Sequence, residues 1–445
     1  MSNQKLKCCD LFIVLVLFLN GLVIKAQLPQ QIDLKTAIQI AIENNLEVRL
    51  AKIDQEIARN ANHLGEAGFL PSVNMDLNAF ESSQDINLTF FSGEQIARDN
   101  AASRGVAGLI RADWTLFDGM RMFATKDRLE TMEEMSKQQV KLKAEEVIAA
   151  VISEYTDILN AEKLAQFYLE NSAYTRRVLQ IAEDKFRGGI TNRTEVLRLT
   201  ADYYADSSMV VKHKLEIYQR KMRFCQLLGV KPNADFELSQ IDWTPDFNLG
   251  ELQNAVSLEN PEILMQRLAI RSAEDQMKEQ RSFYLPTLGT FGEYLNNRQI
   301  NEVGVLEQNF STGFNYGLRV QWTLFNANRT NRLMQERRFV LSQMQLGEED
   351  LRQRLEGEIM NLWQSWLGYQ RIYAIESAGL KLAEENLKLS IDRFERGIGE
   401  DIDVREALKN TTQAQLRLLE AESETYKTAA EILKISGKGH VILLN

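Results

Sequence analysis

The chain has 445 residues, a formal net charge of −10 and a pI near 5.2. Its length exceeds one ordinary domain. The acidic balance argues against a nucleic-acid partner, because phosphate binding needs a basic stripe, and the interspersed acids and bases read as solvated helix faces.

At the N-terminus, MSNQKLKCCD carries Lys5 and Lys7 and runs into the apolar stretch Leu11–Ile24, with Ala26 before Gln27. A basic start, a short apolar centre and a small residue read as a secretory signal over residues 1–26. A membrane anchor is the competing reading. The run has 14 residues and includes Asn20, short of the ~20 needed to span a bilayer. Cys8 and Cys9 leave with the signal, so Cys225 stands alone and the mature chain forms no internal disulfide.

The first repeat is expected over 27–232. It opens on the helical stretch DLKTAIQIAIENNLEV, and near Ser72 the period changes to two. Val73, Met75, Leu77 and Ala79 alternate with Asn74, Asp76 and Asn78. The returning run sets Val106, Ile110, Ala112, Trp114 and Leu116 against Arg111, Asp113 and Thr115. This predicts a strand hairpin over about 72–117. From about 118 to 187 the pattern is helical, with Val147, Val151, Tyr155 and Ile158 on one face. Roughly 70 residues at 1.5 Å each make a rod of ~100 Å, which needs a partner along its length.

A tip follows at 187–195. Gly189 stands where a helix ends in a left-handed residue, and Thr191 or Asn192 is placed to cap the next helix. That helix, about 194–228, carries Leu197, Ala201, Tyr204, Ser208, Val211, Leu215, Tyr218, Met222 and Cys225 at alternating steps of four and three. Such spacing predicts a coiled-coil seam. The alternative for the tip is a plain connection.

After a linker at 233–248, a second repeat is expected over 249–435: strand hairpin about 287–325, long helix about 327–395, tip 395–403 and helix about 402–435. A short tail, 436–445, closes the chain. Only six prolines occur, none between Ser72 and Lys231 or after Pro286, so the long helices are unbroken. WTLFDG at Trp114 recurs as WTLFNA at Trp322, and KFRGGI at Lys185 as RFERGI at Arg393, both after 208 residues. LPSVNM at Leu70 recurs as LPTLGT at Leu285 after 215. The chain is therefore an internal duplication with a long unit, not a short solenoid repeat.

The alternating runs, about 10 to 12 residues each, suit tilted strands crossing a bilayer, with Trp114, Trp322 and Tyr316 as interface anchors. A half-buried strand pair in a soluble sheet is the alternative. Four strands cannot close a membrane barrel, and open edges are not tolerated in lipid, so lipid-facing strands require several chains to share one barrel.

With the two Leu-Pro phrases, the two WTLF phrases and the tips FRGGITNRTEV and FERGIGEDIDV in this order, the sequence resembles the TolC-like outer membrane efflux family (outer membrane factors). The resemblance covers about Leu34 to Leu433. It implies a mainly α fold with membrane β, built as a homotrimer with a 12-stranded β-barrel and an α-helical periplasmic tunnel. It implies a passive duct for a multidrug efflux or type I secretion system, partnered by a periplasmic adaptor (membrane fusion) protein, an inner-membrane pump of RND, ABC or MFS type, and outer membrane lipid. Adaptor docking then falls on Gly189, Ile190, Thr191, Gly397, Ile398 and Gly399. The tunnel-mouth gate falls on Thr194, Glu195, Asp403 and Glu406. Gly399 stands where the best-known member has a latch arginine, so the latch here differs.

Catalysis is not expected. The three histidines, His63, His213 and His440, are scattered, no phosphate loop or dinucleotide fingerprint occurs, and neither a metal nor a cofactor is called for. The rival non-enzymatic readings are a periplasmic adaptor and a structural coiled-coil envelope protein.

Overall fold

The computed structural model describes residues 29–243, 246–304 and 306–444. The signal expected at 1–26 lies outside the described residues. In chain order the elements are β1 (Gln31–Ile32), α1 (Leu34–Asn44), α2 (Leu46–Ala61), β2 (Ser72–Thr89), β3 (Gln95–Phe117), α3 (Arg121–Arg187), α4 (Arg193–Leu227), β4 (Glu237–Leu238), α5 (Leu249–Glu259), α6 (Pro261–Arg281), β5 (Thr287–Asn301), β6 (Gln308–Gln321), α7 (Arg329–Glu395), α8 (Asp401–Ser436) and α9 (Val441–Leu444). The protein is mostly helical, and α3 and α7 have 67 residues each. The chain forms two compact units. Of the described residues, one holds those up to 49, those within 144–252 and those from 358 onward; the other holds those within 50–143 and 253–357.

In the first unit, Asp33 caps α1 by accepting from the Thr36 N–H at 2.6 Å, and the Thr36 bonds hold its carboxyl below the usual range. Leu34, Ala37, Ile38 and Ala41 form the buried stripe of α1. Asn45 separates α1 from α2. Its amide donates to the Leu227 carbonyl at 2.8 Å while its Oδ1 accepts from the Glu47 N–H at 2.8 Å. Gly229 is obligatory beside this junction: φ is +69°, and a Cβ there would lie 2.3 Å from the Asn44 carbonyl oxygen.

The main core gathers Ile32, Ile38, Val151, Ile152, Tyr155, Ile158, Phe224 and Leu228 around a two-residue parallel ladder, Gln31↔Glu237 and Ile32↔Leu238. The buried Tyr155 hydroxyl lies within hydrogen-bonding distance of the Ser239 carbonyl (2.6 Å) and the Ile32 carbonyl (3.0 Å), so α3 closes both strands of the ladder. Lys221 is buried too, donating to the Phe236 carbonyl at 2.7 Å and pairing with Glu162 at 3.0 Å. These partners make burial of a cation tolerable.

The 4–3 seam behaves differently in the two copies. On α8, Leu419, Ser423, Ala430 and Leu433 are buried. On α4, Leu197, Tyr204, Val211, Leu215 and Tyr218 are 54–69% exposed, and the packed residues are Leu199, Val210, His213, Lys221, Phe224 and Cys225. Within one chain α4 thus packs mostly by another face, and of the expected seam residues Cys225 is the buried one. The physical reason is position. Helix α8 is bonded to α3 through Asn160 to the Leu419 carbonyl and Lys163 to Glu422, and to α7 through Thr411 to the Ala383 carbonyl and Arg417 to Glu376.

The second unit holds an antiparallel sheet in the order β2-β3-β5-β6. Its strands have 18, 23, 15 and 14 residues, longer than the expected 10 to 12. Strand β6 ends at Gln321, so Trp322 to Phe325 lie beyond it, whereas Trp114 to Phe117 remain inside β3. The expected bound of 325 is corrected for a simple reason. β6 has one neighbour, and that neighbour, β5, starts only at Thr287, after Pro286. Central β3 still has β5 beside it through Phe117↔Leu288.

Candidate functional site

At the first tip, α3 ends in Gly189 at φ +74°, with the Ile190 N–H bonded to the Lys185 carbonyl at 2.9 Å. Gly397 at φ +75° repeats this after α7, with Ile398 N–H to the Arg393 carbonyl at 3.0 Å. Both glycines close helix C-termini in the left-handed region that other residues avoid. They leave Ile190 and Ile398 projecting, 78% and 69% exposed. Gly399 also bonds to Arg393 (3.1 Å), and a Cβ on it would sit 3.1 Å from the Phe394 nitrogen. A side chain at Gly399 therefore requires the turn to shift.

The caps differ from each other. Asn192 caps α4 through the Glu195 N–H at 3.0 Å. Glu400 caps α8, with Asp403 returning to the Glu400 N–H in a capping box. Of the expected gate residues, Glu195 accepts from the Thr191 hydroxyl, Thr194 is exposed, Asp403 is engaged in the cap, and Glu406 is exposed on the next turn.

Residues that spacing did not single out join the two hairpins behind the tips. Arg198 on α4 pairs with Asp401 on α8. Arg405 meets Asp202 at 2.9 Å, Arg177 meets Glu395 at 2.8 Å, and the Lys185 ammonium lies 4.1 Å from the Phe394 ring centroid. Beneath them Val178, Ala182, Leu199, Leu387, Ile391, Phe394 and Val404 form a second core.

A groove of about 740 Å³ adjoins these pairs, with Tyr168, Thr175, Asp202, Asp206, Arg405 and Lys409 among its walls. The Asp206 carboxyl accepts from the Thr175 hydroxyl at 2.5 Å. Burial pushes it above the usual carboxylate range, Thr175 opposes the shift, and Asp202 adds to it. Among the described residues no group of three or more His, Cys, Asp or Glu could hold a metal ion.

On the sheet, one face is apolar and exposed. Its rows read Leu288–Val320, then Trp114–Thr290–Leu318, Val73–Ala112–Gly292–Tyr316 and Met75–Ile110–Tyr294–Phe314. The opposite face is polar. Arg111 pairs there with Asp113 (2.7 Å) and Glu293 (3.2 Å), and Arg111 and Arg319 both lie over the Phe291 ring. Tyr316 is 84% exposed on the apolar face. The Trp114 indole donates to the Phe69 carbonyl at 2.8 Å, and the Trp322 indole to the Tyr284 carbonyl at 3.2 Å. No helix among the described residues is long and apolar enough to cross a membrane.

The sequence profile of the outer membrane efflux proteins matches residues 37–230 and 252–438, one block on each copy. The alkaline protease secretion protein AprF of Pseudomonas aeruginosa is 21% identical over 302 residues, covering 65% of this chain and 60% of AprF. The match thus spans less than two thirds of that relative. The CmeC outer membrane channel of Campylobacter jejuni shares the fold with a TM-score of 0.76 at 16% identity, over 91% of this chain and 86% of CmeC. The outer membrane protein VceC of Vibrio cholerae gives 0.71 at 14%, over 91% and 96%.

Proposed function

The chain belongs to the outer membrane efflux protein family, and from that premise we propose that it is the passive outer membrane duct of a tripartite efflux or type I secretion system. Three copies contribute four strands each to a 12-stranded barrel, and their helices form a periplasmic tunnel. The family and its solved neighbours are channels, not enzymes. An inner-membrane pump supplies the energy, and a periplasmic adaptor docks at Gly189–Thr191 and Gly397–Gly399. The two repeats, 27–232 and 249–435, have equivalent parts in this assembly.

One observation carries the reading. Edge strands β2 and β6 each have one strand neighbour while the face beside them is apolar and exposed. Lipid does not tolerate such edges, and pairing β6 of one copy with β2 of the next removes them. The α4 seam supports it independently. Leu419, Ser423, Ala430 and Leu433 of the second repeat are buried, whereas Leu197, Tyr204, Val211, Leu215 and Tyr218 of the first are exposed, and a neighbouring copy covers these exposed positions. The proposed gate comprises Thr194, Glu195, Asp403 and Glu406, with the Arg198–Asp401 pair in place of a latch through Gly399.

The docking experiment uses Ile190→Asp with Ile398→Asp. Gly189 and Gly397 are poorer probes, because any side chain there strains the turn by ~1–2 kcal/mol whatever the partner does. The double variant is expected to lose export in cells while the purified protein still conducts across a planar bilayer. Export at the wild-type rate contradicts docking at the tips, and no conductance from inserted wild-type protein contradicts the duct.

A further inference from the structure

The apolar face of the sheet ends in arginines at one edge and in aromatic rings at the other. Following this face up β5 from Leu288, the residues are Thr290, Gly292, Tyr294, Asn296 and then Arg298. Up β3 from Trp114 they are Ala112, Ile110, Gly108, Val106 and then Arg104. On β2 the matching rows read Val73, Met75, Leu77, Ala79 and then Glu81, and on β6 the row of Arg298 holds Phe310. Arg104, Arg298 and Glu81 are thus the first charges met above the band. The lower rows carry Trp114 and Tyr316 and no charge.

The height matches. Ten residues from Leu288 to Arg298 rise ~33 Å along the strand, and a strand tilted ~40° turns that into ~25 Å, the height of a barrel's apolar band. Arg298 pairs with Val106, which lies two residues from Arg104, so the two arginines are diagonal neighbours. Diagonal positions lie ~7–8 Å apart, within reach of a shared anion for side chains this long. Both are exposed, and neither has an ion pair with a described residue. Glu81 opposite Arg104 offsets one charge, leaving the trio net positive.

We infer that Arg104 and Arg298 form a phosphate-binding site for the headgroups of anionic lipid in the outer leaflet, once per chain. The inference rests on the barrel reading above. Guanidinium forks bind phosphate in bidentate fashion and are weakly hydrated, which suits the boundary between headgroups and acyl chains. The occupant is a lipid rather than a free anion because Val106 and Phe310, in the row of Arg298, are apolar. They lie where acyl chains would cover them.

The test compares wild-type protein with Arg104→Gln/Arg298→Gln in detergent, titrated with a diphosphorylated glucosamine-disaccharide lipid, its dephosphorylated form and inorganic phosphate. Native mass spectrometry counts the bound lipid. The inference expects about tenfold weaker binding of the phosphorylated lipid by the glutamine variant, near-wild-type binding by Arg104→Lys/Arg298→Lys, and unchanged bilayer conductance for both. Equal lipid binding by wild type and the glutamine variant overturns it. So does equal affinity of the wild type for phosphorylated and dephosphorylated lipid, or inorganic phosphate competing at equal concentration. Loss of conductance by the wild type itself would instead sink the barrel reading, so the two failures are distinguishable.

Discussion

The Trp114 indole donates to the carbonyl of Phe69, two residues before Pro71, and Trp322 does the same to Tyr284, two residues before Pro286. The two repeated phrases are therefore halves of one joint. A Leu-Pro segment enters the sheet, a Trp-Thr-Leu-Phe segment leaves it, and an indole bond ties them. Replacing each tryptophan by phenylalanine keeps the ring and deletes the donor. Each change is expected to cost ~1 kcal/mol, seen as a lower unfolding temperature in detergent. No shift in either variant contradicts a structural role for the bond.

Both exits to the long helices pass through two consecutive left-handed residues, Gly119–Met120 and Ala327–Asn328. Gly119 has no room for a side chain, since a Cβ would meet the Ser282 carbonyl oxygen at 2.6 Å. Ala327 carries its Cβ at φ +56°. Ala327→Gly is accordingly expected to be neutral to stabilising by up to ~1 kcal/mol, and Gly119→Ala to destabilise by more than that. Thermal unfolding of the two variants checks the opposite signs.

Arg198 and Asp401 lie 203 positions apart and join the two hairpins behind the tips. The Asp401 side chain is 13% exposed and that of Arg198 41%, so the pair is worth ~1 kcal/mol, about a fivefold shift in a two-state mouth. Asp401→Arg is expected to raise the open fraction in single-channel records by about that factor. Arg198→Asp with Asp401→Arg should restore it. An unchanged open fraction in the single variant removes the pair from the gate.

Asp206 supplies a pH signature. Its carboxyl is raised above 3.8 by burial, so the folded chain holds the proton more tightly than the unfolded one. The resulting stabilisation is complete below about 3.8 and is lost as pH rises through the higher folded value. Asp206→Asn, which still accepts from Thr175, is expected to raise the unfolding temperature at pH 7, with the advantage shrinking towards pH 4. A difference independent of pH would falsify this assignment.

Helix-end chemistry made Gly189 and Gly397 legible, and alternation made the apolar strand positions legible. The upper strand segments, Glu81–Thr89 and Gln95–Ser103, were not, because polar residues on both faces leave no period to read. Strand β5 carries little alternation for a local reason. Thr290 lies between Trp114 and Leu318, and Gly292 between Ala112 and Tyr316, so its small residues make space for large neighbours. The ion pairs behind the tips are not legible in the sequence, because no local spacing links residues some 200 positions apart. The 4–3 frame on α4 was legible as a seam, but one chain alone does not fill it.

The central claim is that this chain closes its sheet only with other copies of itself. Counting chains per particle by light scattering in detergent, after extraction from membranes, tests it most directly. The account predicts three chains per particle and no stable particle once detergent is removed. A monodisperse single chain that remains in solution without detergent would contradict it.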